Sequence, residues 1–165
     1  MRLRALIAAA LLLGAAALAE EGPPVQPEPA PEKAPATIRF KPVDVWVSTG
    51  GERLAAYQVE LTYDKSRVQI VGVEGGEKGP FNEAPYFDPK GKTGGRMVVA
   101  AFTADDAKAP EGRLRIARLH LRIVGPADAD PDITIRLVTA ARPGGGKISP
   151  EVELTRPGEK RGEQI

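Results

Sequence analysis

Residues 54–77 read LAAYQVELTYDKSRVQIVGVEGGE, and their alternation is the tightest constraint on what the chain can fold into. Ala55, Tyr57, Val59, Leu61 and Tyr63 share one parity, while Ala56, Gln58, Glu60 and Thr62 share the other. A period of two belongs to a half-buried β-strand. The strand runs into Tyr63-Asp64-Lys65-Ser66, a turn that Asp64 stabilises, because an Asp side chain bonds backbone groups two residues on. A second strand over 68–73 follows and ends at Gly75-Gly76.

The rest of the central chain has the same grain. In TIRFKPVDVWV, 37–47, Ile38 and Phe40 lie on one parity and Val43, Val45 and Val47 on the other. A bulge at Lys41-Pro42 is expected to reconcile them, since proline cannot serve an interior ladder. Breaks of this kind occur where a first strand passes between the sheets of a sandwich. RMVVAAF, 96–102, is a near-continuous apolar run and reads as a central strand. In RLRIARLHLRI, 113–123, a bulge near Ala117 brings Leu114, Ile116, Leu119, Leu121 and Ile123 onto one face. DITIRLV, 132–138, alternates, and KISPEVEL offers one last edge strand. Residues 74–95 form a long loop with room for a short strand, pinned by Phe81, Tyr86 and Phe87. Seven to nine short strands without a helix in the mature chain specify an all-β protein, a jelly-roll or immunoglobulin-like β-sandwich over 37–155.

The ends are different. Arg2 and Arg4, an apolar run over 5–18 and the small-x-small motif Ala17-Leu18-Ala19 make a secretory signal peptide, 1–19, cleaved between Ala19 and Glu20. Retention as an uncleaved anchor is the alternative, although the run is short for a span. Residues 20–36 carry six prolines and four glutamates, a Pro/Glu-rich linker or leader suited to extended polyproline II geometry. Residues 156–165 read as a disordered tail. A secreted or periplasmic location follows. Cleavage leaves 146 residues with 21 basic against 22 acidic side chains, a balance that gives no argument for nucleic acid. With no Cys, disulfides, thiolate metal sites and thiol catalysis are excluded.

The order TIRFKPVDVWV, LAAYQVELTYD, VQIVGVEGG, GRMVVAAF, GRLRIARLHLRI, DITIRLV resembles the cohesin modules of secreted bacterial scaffold proteins. The resemblance implies a nine-stranded jelly roll related to cellulose-binding modules. It also implies a non-catalytic role: docking a dockerin-like partner on an outer sheet face, in polysaccharide degradation. The face expected is the one carrying Arg113, Arg115, Arg118, His120 and Arg122, a basic stripe suited to an acidic partner or a uronic polysaccharide. The same stripe could instead be a solvated face, or be paired with Glu60 across the sheet.

The alternative function is direct carbohydrate binding. Trp46 is the candidate stacking platform, or else a ring covered by a neighbouring loop; the long loop near Tyr86 and Phe87 is the second candidate. No cofactor or metal is expected. Asp128, Asp130 and Asp132 open like a calcium loop, but Ile133 and Thr139 stand where the loop needs Gly and Glu. The lone His120 lacks metal-ligand partners. Glu74, Glu77, Glu83 and Asp88 crowd the long loop without declaring a catalytic pair, so no enzyme is expected. A monomer is expected.

Overall fold

A computed structural model describes residues 36–126 and 130–157. The signal peptide with its Ala19/Glu20 cleavage point, the linker up to residue 35, Asp128 and the tail beyond residue 157 lie outside the described residues.

Alternation becomes architecture first in β2 (Ala56–Tyr63). Tyr57, Val59, Leu61 and Tyr63 are buried, as is Ala55 just before the strand. The turn after it forms as its residues require: Ser66 donates to Asp64 Oδ1 from its backbone N at 2.8 Å and from Oγ at 2.6 Å. Those bonds hold the Asp64 carboxyl below the ordinary carboxylate range. Nine strands are present among the described residues, all paired antiparallel. The others are β1 (Thr37–Arg53), β3 (Val68–Glu74), β4 (Tyr86–Phe87), β5 (Arg96–Phe102), β6 (Glu111–Gly125), β7 (Ile133–Ala141), β8 (Lys147–Ile148) and β9 (Glu151–Thr155). They make a four-stranded sheet, β3-β6-β1-β9, and a five-stranded sheet, β4-β5-β2-β7-β8. The inward residues of both sheets meet in one core, so the protein is an all-β sandwich.

The long β6 carries the expected bulge. Val45 pairs with Ala117 and Trp46 with Arg115, which leaves Ile116 as the extra residue. Leu114, Ile116, Ala117, Leu119, Leu121 and Ile123 are all fully buried. The Ile116 carbonyl accepts from Tyr57 Oη of the facing sheet at 3.2 Å. That bond ties the irregularity to the opposite side of the core, and burial there pushes the Tyr57 phenol well above its ordinary pKa. The Tyr57 ring also meets Phe81 edge-on, with centroids 5.3 Å apart.

Two expectations are corrected. There is no bulge at Lys41-Pro42: β1 pairs with β6 in unbroken register from Thr37 opposite Gly125 to Val45 opposite Ala117. The strand therefore stays in one sheet, and Ile38 and Phe40 simply point outward, exposed. KISPEVEL supplies two strands, β8 and β9, at the edges of different sheets. The apolar run 96–102 is an interior strand as expected, with the two-residue β4 as its outer neighbour.

The loop over 74–95 is threaded tightly. Phe81 is buried, while Tyr86 is open. A Cβ on Gly75 would collide with the Asn82 carbonyl, and one on Gly76 with the Arg115 carbonyl, so only glycine lets these backbones approach. No helix among the described residues is long and apolar enough to cross a membrane.

Candidate functional site: the two outer sheet faces

On the four-stranded sheet, parity sends Arg113, Arg115, Arg118, His120 and Arg122 of β6 outward together. They meet acids from three neighbouring strands. Arg118 grips Asp44 of β1 with two parallel bonds, Nε to Oδ1 at 2.6 Å and Nη2 to Oδ2 at 2.9 Å. This pairing raises the pKa of the Arg118 guanidinium. Arg115 Nη1 lies 3.6 Å from the same Asp44 Oδ1. Arg113 Nε donates to Glu153 of β9 at 2.8 Å. His120 Nε2 is hydrogen-bonded to Glu74 Oε1 of β3 at 2.7 Å. Arg122 lies beside Gln69, Arg67 and Val124. Glu60 has no part in this face, because β2 belongs to the other sheet. The acids that match the stripe are Asp44, Glu74 and Glu153. The sequence signal for Asp44 was its parity: it is the one charged residue between Val43 and Val45, facing the same side as the stripe.

Trp46 points outward on this face and is half-buried. The Arg113 guanidinium carbon sits 3.9 Å from its ring centroid, and its Nε1 donates to Thr155 Oγ1 at 3.0 Å. An arginine and the neighbouring edge strand β9 cover the ring, rather than a loop. At the far end of the sheet Phe40, Pro42, Val71, Gly72 and His120 line a hollow of about 360 Å³.

The five-stranded sheet presents a different outer face. Its rungs follow from the register. Tyr86 of β4 pairs with Ala100 of β5, Ala100 with Gln58 of β2, and Gln58 with Thr139 of β7. One rung toward the edge, Phe102, Ala56 and Ala141 line up. Tyr86 and Phe102 stack nearly parallel, at 14° with centroids 6.4 Å apart, yet remain 72% and 64% exposed. With Ala56, Ala100, Ala141, Gln58 and Thr139 they line a hollow of about 250 Å³. An extra residue in β7, Val138, is part-exposed nearby. The small alanine side chains leave the floor low, and the two rings stand over it.

One rung the other way lies Glu60, opposite Val98 on one side and Arg136 on the other. Its carboxylate is buried and takes Arg136 Nε at 2.8 Å, while Arg96 pairs with its second oxygen. The Arg136 hydrogen bond is the main reason that the Glu60 carboxyl sits below its ordinary pKa. Sequence parity placed Glu60 outward but did not reveal its two partners. Phe102 and Tyr86 as a joined pair were missed, because only β4 brings them together.

Among the described residues, no three His, Cys, Asp or Glu side chains gather into a metal-ligating group. Asp130 and Asp132 are described; Asp130 is occupied by Lys41 at 3.6 Å and by Arg156.

No protein-family model and no curated protein matches the chain. Among solved structures, it is similar to the cohesin CaCohA2 in the crystal structure of a complex with a CaDoc0917 variant at pH 5.5. The likeness has a TM-score of 0.54 over 67% of this chain and 82% of that chain, at 15% identity. What it establishes is architecture: two antiparallel sheets of nine strands, arranged as a cohesin-like fold.

Proposed function

We propose that the protein is an exported, non-catalytic docking module for a protein partner, and that the partner seats on the outer face of the five-stranded sheet. One observation carries the choice of face: the exposed Tyr86–Phe102 pair over an alanine-floored hollow. Exposed aromatics around a low apolar floor are the composition of a binding hot spot. The basic stripe of the other sheet is the competing surface, but four of its five members already hold acids of their own chain. The fold supports a dockerin-like partner, since the similar CaCohA2 was crystallised with CaDoc0917. Export is supported by the signal pattern over 1–19, and a polysaccharide-degrading context by the family resemblance alone. A mature N-terminus at Glu20, read by mass spectrometry of the exported protein, tests cleavage; a chain starting at Met1 overturns it.

The exposed rings favour one second reading, direct polysaccharide binding through Tyr86 and Phe102. A panel of calcium-loaded dockerin modules and a polysaccharide array, each probed with the full chain and its variants, separate the readings. The docking reading expects a dockerin that binds wild type and the Arg122→Glu variant alike, and fails on Phe102→Ser. Loss on Arg122→Glu alone moves docking to the basic stripe. Binding only to glycans, lost on Tyr86→Ser, establishes the carbohydrate reading instead.

A further inference from the structure

Glu60 stands between two arginines and can neutralise only one of them. Arg136 donates to one carboxylate oxygen through Nε, and Arg96 pairs with the other. A guanidinium carries five N–H donors in a rigid fork. Each arginine therefore keeps donors that Glu60 does not use, and their side chains are 63% and 62% exposed. Among the outward residues of β2, β5 and β7, these three are the only charged ones, so the patch is left with a positive surplus.

The position of the patch gives it meaning. Glu60 follows Gln58 by two residues along β2, which is about 7 Å along a strand. Gln58 lines the apolar hollow. An apolar side chain seated over Ala100 and Ala56 would thus place a neighbouring residue of its own segment beside the two guanidiniums. That spacing matches residues one helical turn apart, at roughly 5–6 Å.

We propose that Arg96 and Arg136, oriented by Glu60, form a carboxylate-reading subsite. In this view the docked protein segment presents an Asp or Glu within about one helical turn of the apolar residue that fills the Tyr86–Phe102 hollow. The inference rests on the docking reading above and specifies the partner's chemistry. Glu60 is a positioning residue: it fixes both forks while leaving their outer donors free. Two guanidiniums on one partner carboxylate give a bidentate contact that Asn or Gln cannot match. Charge complementarity of this kind selects partners and speeds their association.

The test selects a phage-displayed library of short randomised helical peptides on the full chain, on Phe102→Ser, and on the Arg96→Gln, Arg136→Gln double variant. The proposal expects peptides that depend on Phe102 and carry an acidic residue one turn from their apolar anchor. Their affinity falls roughly tenfold on the double variant, and selection on that variant loses the acidic preference. If the double variant fails to melt cooperatively, the triple variant with Glu60→Gln, which removes the whole charge set, replaces it under the same expectation.

Peptides that need Phe102 but show no acidic bias overturn the subsite while leaving the docking reading intact. A selection that yields no Phe102-dependent peptide overturns both. Binding of soluble polygalacturonate with the same dependence on Arg96 and Arg136 assigns the carboxylate to a polysaccharide and overturns the protein partner.

Discussion

Each outer face of the sandwich holds one buried carboxylate between two arginines, and the two triads differ in how much of each arginine the solvent can reach. Around Asp44, Arg115 and Arg118 are 19% and 28% exposed. Around Glu60, Arg96 and Arg136 are more than twice as open. The difference comes from the neighbours. Asp44 lies on β1 opposite Thr155 of β9, with Trp46 and Glu153 crowding the same surface. Glu60 lies on β2, among Val98, Thr62 and the low alanine floor. One sheet thus spends its charges on itself. The other leaves guanidinium donors and two aromatic rings available to something else.

The largest expected effect tests the first half of that contrast. Asp44→Ala should lose roughly 3 kcal/mol, because removing one partner strands two part-buried guanidiniums. Urea melts measure this. A loss below about 0.5 kcal/mol, the ordinary surface range, would erase the distinction between the triads. Glu60→Gln should cost less than Asp44→Ala in the same assay, since water can reach Arg96 and Arg136.

Tyr57→Phe comes next. It leaves the bulge carbonyl of Ile116 buried without its cross-core donor, at a cost of about 1–3 kcal/mol. A neutral result would show that the sheets are tied by apolar packing alone.

A pH titration sharpens the comparison further. The Glu60 carboxyl is held below its unfolded value, chiefly by Arg136. Its contribution is therefore complete above the ordinary glutamate pKa and is lost as pH falls through the depressed folded value. Glu60→Gln should make the acid limb of a stability-versus-pH curve shallower. An unchanged limb would place the acid sensitivity elsewhere, with Asp64 and Asp130, also depressed by their partners, next in line.

The smallest stability effects belong to outward-facing side chains, one on each sheet. Phe102→Ser and Arg122→Glu should each shift stability by less than about 0.5 kcal/mol. Only Phe102→Ser should then weaken docking. A Phe102 variant that melts early would mean that its ring belongs to the fold and not to a partner.

Parity alone made β2 and β6 legible. Leu119, Leu121 and Ile123 fall out of phase with Leu114 and Ile116, and only an inserted residue lets all five be buried. The same logic failed on β1. It assumed that Ile38 and Phe40 must be inward because they are apolar, and so called for a bulge that the register does not contain. Apolar residues on a surface break a rule built on burial. The basic stripe is visible in the sequence as a stripe, but its pairing is not, since Asp44, Glu74 and Glu153 sit on three other strands. The Tyr86–Phe102 hollow was hidden for the same reason: it exists only where β4 folds back onto β5.

The antiparallel pairing of the first and last strands has a mechanical consequence. Thr155 ends β9 opposite Asp44, so β9 leaves the sheet at the end where β1 begins. Tension between Thr37 and Thr155 thus loads the β1–β9 ladder one rung at a time, in peeling rather than shear. β9 is an edge strand, whereas β1 is clasped by β6 along most of its length. Under load β9 should detach first, a small early event in a force–extension trace. The Tyr86–Phe102 surface, on the opposite sheet, would keep its shape while that strand is shed.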